Sequence, residues 1–395
     1  MVRRSLLSCI GVTVAALPLA AHAQQAVPSI GPQNGAALYS QYCSQCHDDA
    51  NARAPSLTVL RSMSLEDCIA ASATFGANGI ELIPEQMIPG FPTVSDEFVA
   101  DWFSWMEKYG TTPVATDLFL DTKRHPGRWL TPEEQIASVH RDIDIAVRLG
   151  ARIIRAIINT PPEVMEGAAP YAEEKGVRLL LEVHAPFHYE HPWILEHLEV
   201  MHAEGGVGLG LMPDMGTFVK RFPRVVSERA LRDGADPELV DNIVRTYDDH
   251  GDTHALMDIV NYRHGGPVEF GLARQATHYI WTDPRSMLPH MPLIGHIQAK
   301  FYEMTEEGTE YSIPYDRIVP VLVEGGFDGY LSSEYEGNRH VQDAFPVDSV
   351  EQVRRQHAMF ARLLGEQQKD PVLPTPRTLG AGPGTGPRAT GTGSY

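Results

Sequence analysis

The chain has 395 residues, 43% of them hydrophobic and 21% charged, which excludes bulk disorder and a collagen-like fibre and leaves room for one large domain or two smaller ones. Its 51 acidic residues against 32 Lys plus Arg give a formal charge of -19, which repels phosphate backbones and anionic lipid headgroups and argues against nucleic-acid or membrane-surface partners. Four cysteines, Cys9, Cys43, Cys46 and Cys68, are too few to staple a chain of this size.

Residues 1–23 have the grammar of a secretory signal peptide: Arg3 and Arg4, an apolar run from Leu6 to Ala20, and the small-residue end Ala21-His22-Ala23. The run is shorter than the roughly 20 residues that span a bilayer, so cleavage after Ala23 and export to the periplasm, with no membrane anchor left, are expected. Next comes Tyr42-Cys43-Ser44-Gln45-Cys46-His47, a C-x-x-C-H motif. Two thiols at this spacing can add to haem vinyl groups while the adjacent imidazole supplies an axial nitrogen. A Cys43–Cys46 disulfide and a zinc half-site are the alternatives. Residues 31–61 resemble the start of a class I cytochrome c domain, which implies a short helical segment carrying covalent haem c on Cys43, Cys46 and His47. The segment ends before an axial Met; Met63 and Met87 are the nearby thioethers, and Met87 reads as part of the next domain.

Residues 62–365 repeat one unit, a capped amphipathic helix followed by a short apolar strand. Ser64-Leu65-Glu66-Asp67 is a capping box, Ser95 opens a helix ending at Gly110, and Thr131-Pro132-Glu133-Glu134 opens another ending at Gly150. Strands are expected at 79–83, 113–116, 152–158, 177–184, 207–212, 293–299 and 329–334. Seven near-continuous apolar strands alternating with helices indicate an α/β fold, a (β/α)8 TIM barrel. A doubly wound open sheet is less favoured, because no Gly-rich phosphate fingerprint follows the first strands. The eighth strand, the first in order, is missing: either 55–60 stands in for it or the barrel is open at that seam. Residues 366–395, rich in Pro, Gly and Thr, read as a disordered tail.

Barrel chemistry sits at the carboxyl ends of the strands. There, Glu182 and His184 share one face by the two-residue period, Asp214 follows the next strand, His296, Gln298 and Lys300 share a face, and Glu334 and Glu336 end the last. Burying two or three carboxylates together is very costly without a cation, and oxygen-rich donors favour Mn²⁺ or Mg²⁺.

The strand-end residues, with Glu85-Gln86-Met87-Ile88-Pro89-Gly90, Pro213-Asp214-Met215-Gly216, Ala299-Lys300-Phe301-Tyr302 and Ser333-Glu334-Tyr335-Glu336-Gly337, resemble the sugar phosphate isomerase/epimerase family of xylose isomerase-like barrels. Within it they are most similar to the large subunit of bacterial C-glycoside deglycosidases. The resemblance implies that Glu182, Asp214 and Glu334 hold a divalent metal. The expected His ligand falls on Gln298, with His296 two residues earlier, so either the Gln298 carbonyl or His296 completes the set. It also implies a sugar or glycoside substrate, a small second subunit, and isomerase, epimerase or lyase chemistry. The proton beside a sugar carbonyl is removed by His184 as base, with Glu182, Glu334 and Lys300 around it. An electron-transfer protein working through the haem segment, and an inactive fusion, are the alternatives. The stretch between Asp214 and Leu293, with His254, His264, His278 and Trp281, either caps the site or mediates association.

Overall fold

The computed structural model describes residues 64–118, 120, 125, 127–345 and 347–368. They all fall in one compact unit, Thr58–Tyr395. The signal peptide, Cys43, Cys46 and His47 of the haem motif, Met63, the stand-in strand 55–60 and residues 369–395 lie outside the described residues.

Local sequence accounts for the helices. Helix α1 (Leu65–Thr74) opens on a reciprocal capping box, in which Ser64 Oγ accepts from the Asp67 amide at 3.1 Å and the Asp67 carboxylate accepts from the Ser64 amide at 3.0 Å. Helix α2 (Asp96–Tyr109) is capped by Ser95 and stops at left-handed Gly110, φ 69°. Helix α3 (Pro132–Arg148) has the Thr131/Glu134 box with Pro at its first position. The buried Trp102 on α2 donates its indole N–H to the Leu149 carbonyl at 3.0 Å, which pins α2 to the end of α3. Burial of such a side chain is worth about 2–3 kcal/mol. Helices α4 (Pro162–Lys175) and α5 (Pro192–Ala203) continue the alternation, and α10 (Tyr315–Glu324) and α11 (Ser349–Gln368) close it. Helix α11 runs three residues past Gly365, so the tail starts later than the composition suggested.

The strands are β1 (Gly79–Leu82), β2 (Thr112–Leu118), β3 (Ile153–Ala156), β4 (Arg178–Val183), β5 (Leu209–Pro213), β6 (His296–Phe301) and β7 (Tyr330–Tyr335). All pairings are parallel; β1 to β5 form one sheet in chain order and β6 pairs with β7. An order that never reverses rules out the doubly wound alternative. Strand β6 begins three residues later than expected, because Pro284–Leu293 is a 3₁₀ run; Pro289 and Pro292 within it have no N–H for a sheet ladder.

Two seams interrupt the cylinder. Between β5 and β6, among the described residues, only isolated bridges, Leu211 to Ile294 and Asp214 to Gln298, join the backbones. There the Arg178 guanidinium donates to the Leu209 and Leu293 carbonyls, both at 3.2 Å. A Cβ on Gly210 would fall 2.5 Å from that guanidinium, so the staple needs glycine. Between β7 and β1 no backbone ladder is present among the described residues. The Tyr330 ring lies against Gly79, where a Cβ would come within 2.4 Å of it, and Glu81 on β1 reaches across to His296. Among the described residues seven strands therefore line the interior, with side chains spanning the seam between β7 and β1.

Between β5 and β6 the chain forms α6 (Arg224–Arg232), α7 (Pro237–Asp248), α8 (Leu256–Tyr262) and α9 (Pro267–His278). This insertion is tied to the loops after β6 and β7 by Arg224 on Glu303 and Arg232 on Asp343. It thus flanks the carboxyl ends of the strands.

Candidate active site at the carboxyl ends of the strands

Alternation along each strand stacks the inward side chains in storeys. The floor is apolar: Val114, Ala115, Ile153, Leu180 and Met212 form a small buried cluster with Tyr330 packed on it. Barrel interiors are ordinarily filled by such residues throughout. Here the next residues inward are charged or polar: Glu81, Asp117, Arg155 and Glu182 from β1 to β4, then His296, Gln298 and Ser332.

This middle storey is one hydrogen-bonded network. Asp117 stands opposite Arg155 in register, and Arg155 bonds both Asp117 and, at 3.3 Å, Glu182. Glu81 accepts from Gln298 Nε2 at 2.6 Å and from His296 Nε2 at 3.1 Å, and His296 Nε2 also lies 2.7 Å from Ser332 Oγ. Burial pushes the Glu81 carboxyl up, but the hydrogen bond from His296 and the charge of Arg155 outweigh it and hold the group well below the carboxylate range. Asp117 moves the other way, pushed up to about 9 by burial and by the Glu81 charge beside it. Its buried Oδ1 has no partner if Asp117 is ionised; a proton shared with Glu81 would satisfy it.

The upper storey is built around Lys300. Its Nζ stands 2.7 Å from Asp214 Oδ2, 2.9 Å from His184 Nε2, 3.7 Å from Glu334 and 3.9 Å from Glu336. Burial alone would drive the amine down, but Asp214, Glu334 and Glu336 raise it, so it stays protonated. Asp214 is fully buried; burial raises its carboxyl, and Lys300 and His184 more than offset this and hold it low. Its Oδ1 accepts from the Gly216 amide at 2.6 Å. The opposite shift appears at Glu334, pushed up to about 8 by burial and by the like charges of Asp214, Glu336 and Glu182, despite Lys300. Glu334 Oε2 is buried without a hydrogen bond.

His184 is oriented from below. Its Nδ1 donates to the Ala185 carbonyl at 2.6 Å, which leaves the Nε2 lone pair facing Lys300. The side chain is 24% exposed, open to the mouth. His278, at the end of α9, brings its ring centroid within 6.3 Å of that of His184, and burial and the charges of His184 and Lys300 lower its pKa. The insertion therefore contributes to the mouth, and His278 is the member of its quartet that does so. Trp281 stacks on His250 and Arg317, and His254, in a short 3₁₀ helix, and His264, in a turn, stand exposed.

Of the residues expected from sequence, Asp214, Lys300, His184 and Glu334 gather in one group. Glu182 is held by Arg155, and His296 turns to Glu81 and Ser332. Among the described residues, no group of three or more His, Cys, Asp or Glu side chains is disposed to hold a metal ion as they stand, and Lys300 occupies the centre of the carboxylates. Met87 ends a short helix after β1, within the barrel domain to which the sequence assigns it. Glu81, Asp117, Arg155 and Ser332 were not anticipated. The signal was present: each is a polar residue two positions after an inward apolar or glycine residue in an otherwise apolar strand. A surface hollow of about 550 Å³ lined by Thr305, Glu306, Arg354 and Arg362 contains none of these groups.

Residues 69–363 match the family described as xylose isomerase-like TIM barrel. A C-glycoside deglycosidase alpha subunit of Microbacterium trichothecenolyticum is 32% identical over 324 residues, covering 76% of this chain and 86% of the relative. A 3'-dehydrocarminate deglycosidase alpha subunit of a Microbacterium species is 29% identical over 323 residues, covering 78% and 91%. Among solved structures, a D-psicose 3-epimerase aligns over 77% of this chain and 95% of its own at 13% identity, with a TM-score of 0.48. The strand order, the strand-end residues and the family and sequence matches lead to one conclusion: the chain belongs to the xylose isomerase-like TIM barrel family, with C-glycoside deglycosidase alpha subunits among its relatives.

Proposed function

We propose that this chain is a lyase of the deglycosidase type, which removes the proton next to the carbonyl of a 3-oxo C-glycoside and expels the aglycone. The observation that carries the reading is the Lys300–His184 contact of 2.9 Å, an ammonium seated on the lone pair of an oriented imidazole at the mouth of the barrel. The relatives support the substrate class, since one is named a C-glycoside deglycosidase and another a 3'-dehydrocarminate deglycosidase.

The residues supply the steps. A carbonyl oxygen entering beside Lys300 competes for its N–H and frees His184 Nε2 to accept the proton from the adjacent carbon. The electron pair of that C–H bond moves toward the carbonyl, and Lys300 faces the oxygen on which charge builds. The pair then returns to form a carbon–carbon double bond, the bond to the aglycone breaks, and the aglycone carbon leaves with its pair and takes up a proton. The products are an unsaturated 3-oxo sugar and the protonated aglycone, with no oxidant or reductant consumed.

The donor set also fits a divalent cation, Mn²⁺ or Mg²⁺. Glu334 has a buried oxygen without a hydrogen bond, and three carboxylates, Asp214, Glu334 and Glu336, face the one Lys300 charge. Glu182, Asp214, Glu334 and the Gln298 amide would hold it, and bound there it would act as a Lewis acid on the substrate oxygen. The relatives are named alpha subunits, which supports a second subunit as partner.

The experiment is release of the aromatic aglycone from 3-oxo C-glucosides, followed by absorbance, with Mn²⁺ and with and without a deglycosidase small subunit. Release is expected. No release under either condition, from a chain shown to be folded, would overturn the substrate class.

A further inference from the structure

We propose that His278, which the insertion between β5 and β6 carries into the mouth, touches the substrate: its free ring nitrogen accepts the 2-hydroxyl, the one on the sugar carbon that gives its proton to His184. This rests on the lyase reading and adds to it the residue that seats an uncharged sugar against the base.

The chain on both sides of His278 fixes the place of its ring. The neighbouring Tyr279 is buried, its hydroxyl accepts from Gln275 Nε2 at 2.6 Å, and its ring packs edge-on against Tyr302, just past the end of β6, with centroids 5.8 Å apart. Downstream, Trp281 bridges to Phe218 and Thr282 Oγ1 donates to the Thr217 carbonyl at 2.9 Å, which ties the same segment to the end of β5. The imidazole itself donates to the Ala185 carbonyl, the group that also takes His184 Nδ1 at 2.6 Å. One carbonyl therefore holds two rings side by side, with centroids 6.3 Å apart and planes tilted by 53°.

Each ring then has one nitrogen left. His184 Nε2 faces Lys300, and the second nitrogen of His278 makes no hydrogen bond among the described residues, on a side chain that stays exposed. A histidine in the last turn of a helix ordinarily gains from being a cation. Here the surrounding walls, then the charges of His184 and Lys300, hold its pKa below the ordinary value, so the imidazole is neutral and helix capping does not account for it. With its N–H on Ala185, a neutral imidazole has only a lone pair to offer, which suits a hydroxyl and not a phosphate or carboxylate oxygen. The C–H and C–O bonds of one sugar carbon diverge at the tetrahedral angle. Two acceptors on adjacent, mutually tilted rings can take the C–H and the hydroxyl, one each, while Lys300 faces the carbonyl next to them.

The test uses the full chain and reads binding, so that it does not depend on turnover. The ligand is a 3-oxo C-methyl glucoside, whose alkyl group is too poor a leaving group to depart, titrated calorimetrically beside its 2-deoxy and 4-deoxy analogues. His278→Phe keeps a ring but offers no lone pair. It should weaken binding of the parent and the 4-deoxy sugar roughly 10- to 100-fold, the worth of leaving one partner of a hydrogen bond unpaired, and leave the 2-deoxy sugar within about twofold. General damage to the mouth would weaken all three alike. Equal losses for the three sugars in a variant whose circular dichroism matches the wild type, or no loss for the parent, would overturn the assignment, and so would a loss that vanishes with the 4-deoxy sugar instead. Wild-type chain that binds the 3-oxo sugar but releases no aromatic aglycone would overturn the lyase reading, and the deoxy comparison would still decide the contact. Wild-type chain that binds none of the three sugars would overturn both.

Discussion

The floor and the mouth of the barrel are built by the same strands a few residues apart, yet they obey opposite rules. On the floor Ile153, Leu180 and Met212 are buried and apolar, and Tyr330 seals the seam at Gly79. At the mouth Asp214 and Lys300 are just as buried, but they are charged, and the carboxylates around Lys300 crowd Glu334 until its pKa rises to about 8. Burial without charge stabilises; burial with excess like charge costs stability and is retained for chemistry. The fold is therefore concentrated in the lower half of the strands and the proposed function in the upper half.

Breaking the mouth should have the largest effect. Lys300→Met removes the ammonium between Asp214, Glu334, Glu336 and His184, and turnover should fall by roughly 10³-fold, the upper range for losing one preorganised electrostatic donor. Steady-state aglycone release with a folded-state check by circular dichroism measures it; a loss under tenfold would mean that the upper storey is as structural as the floor. Breaking the floor should do the reverse. Leu180→Ala leaves a cavity beneath the site and should cost about 3 kcal/mol of stability in denaturant unfolding, with turnover below the transition kept within a few-fold. A similar stability with a large loss of turnover would erase the distinction between the two regions.

The smallest effect lies in the storey between. Asp117 is raised from 3.8 to about 9 in the folded chain. Because the folded pKa is the higher one, its protonated form favours folding; that stability is complete below the unfolded pKa and is lost as pH rises through the folded pKa. The wild-type melting temperature should therefore decline relative to Asp117→Asn between about pH 5 and 9, by a few degrees. A pH-independent difference would place the shared proton elsewhere.

Much of this was legible in the sequence for one physical reason, the two-residue period of a strand. It put Glu182 with His184, His296 with Gln298 and Lys300, and Glu334 with Glu336, and it applies equally to Asp117 and Arg155, which stand out as charges in apolar runs. Helix starts were legible because Ser64, Ser95 and Thr131 carry their own capping chemistry. Partnership was not legible. That Arg155 would take Glu182, Glu81 would hold Gln298 and His296, and Lys300 would occupy the centre of the carboxylates depends on register across strands distant in the chain. Among the described residues, the contact of Tyr330 with Gly79 is a matter of side-chain packing across a seam, and no local pattern encodes it.

The proposed lyase chemistry stands or falls on whether His184, released by Lys300, takes a carbon-bound proton. Deuterium incorporation from solvent at the carbon beside the carbonyl of a 3-oxo C-glucoside, followed by proton NMR in the presence of Mn²⁺, measures that step itself. The wild-type chain should exchange that proton, and His184→Ala should exchange it about 10²-fold more slowly or worse while retaining Mn²⁺. Exchange at the wild-type rate in His184→Ala, or none in the wild-type chain, would contradict this role for His184.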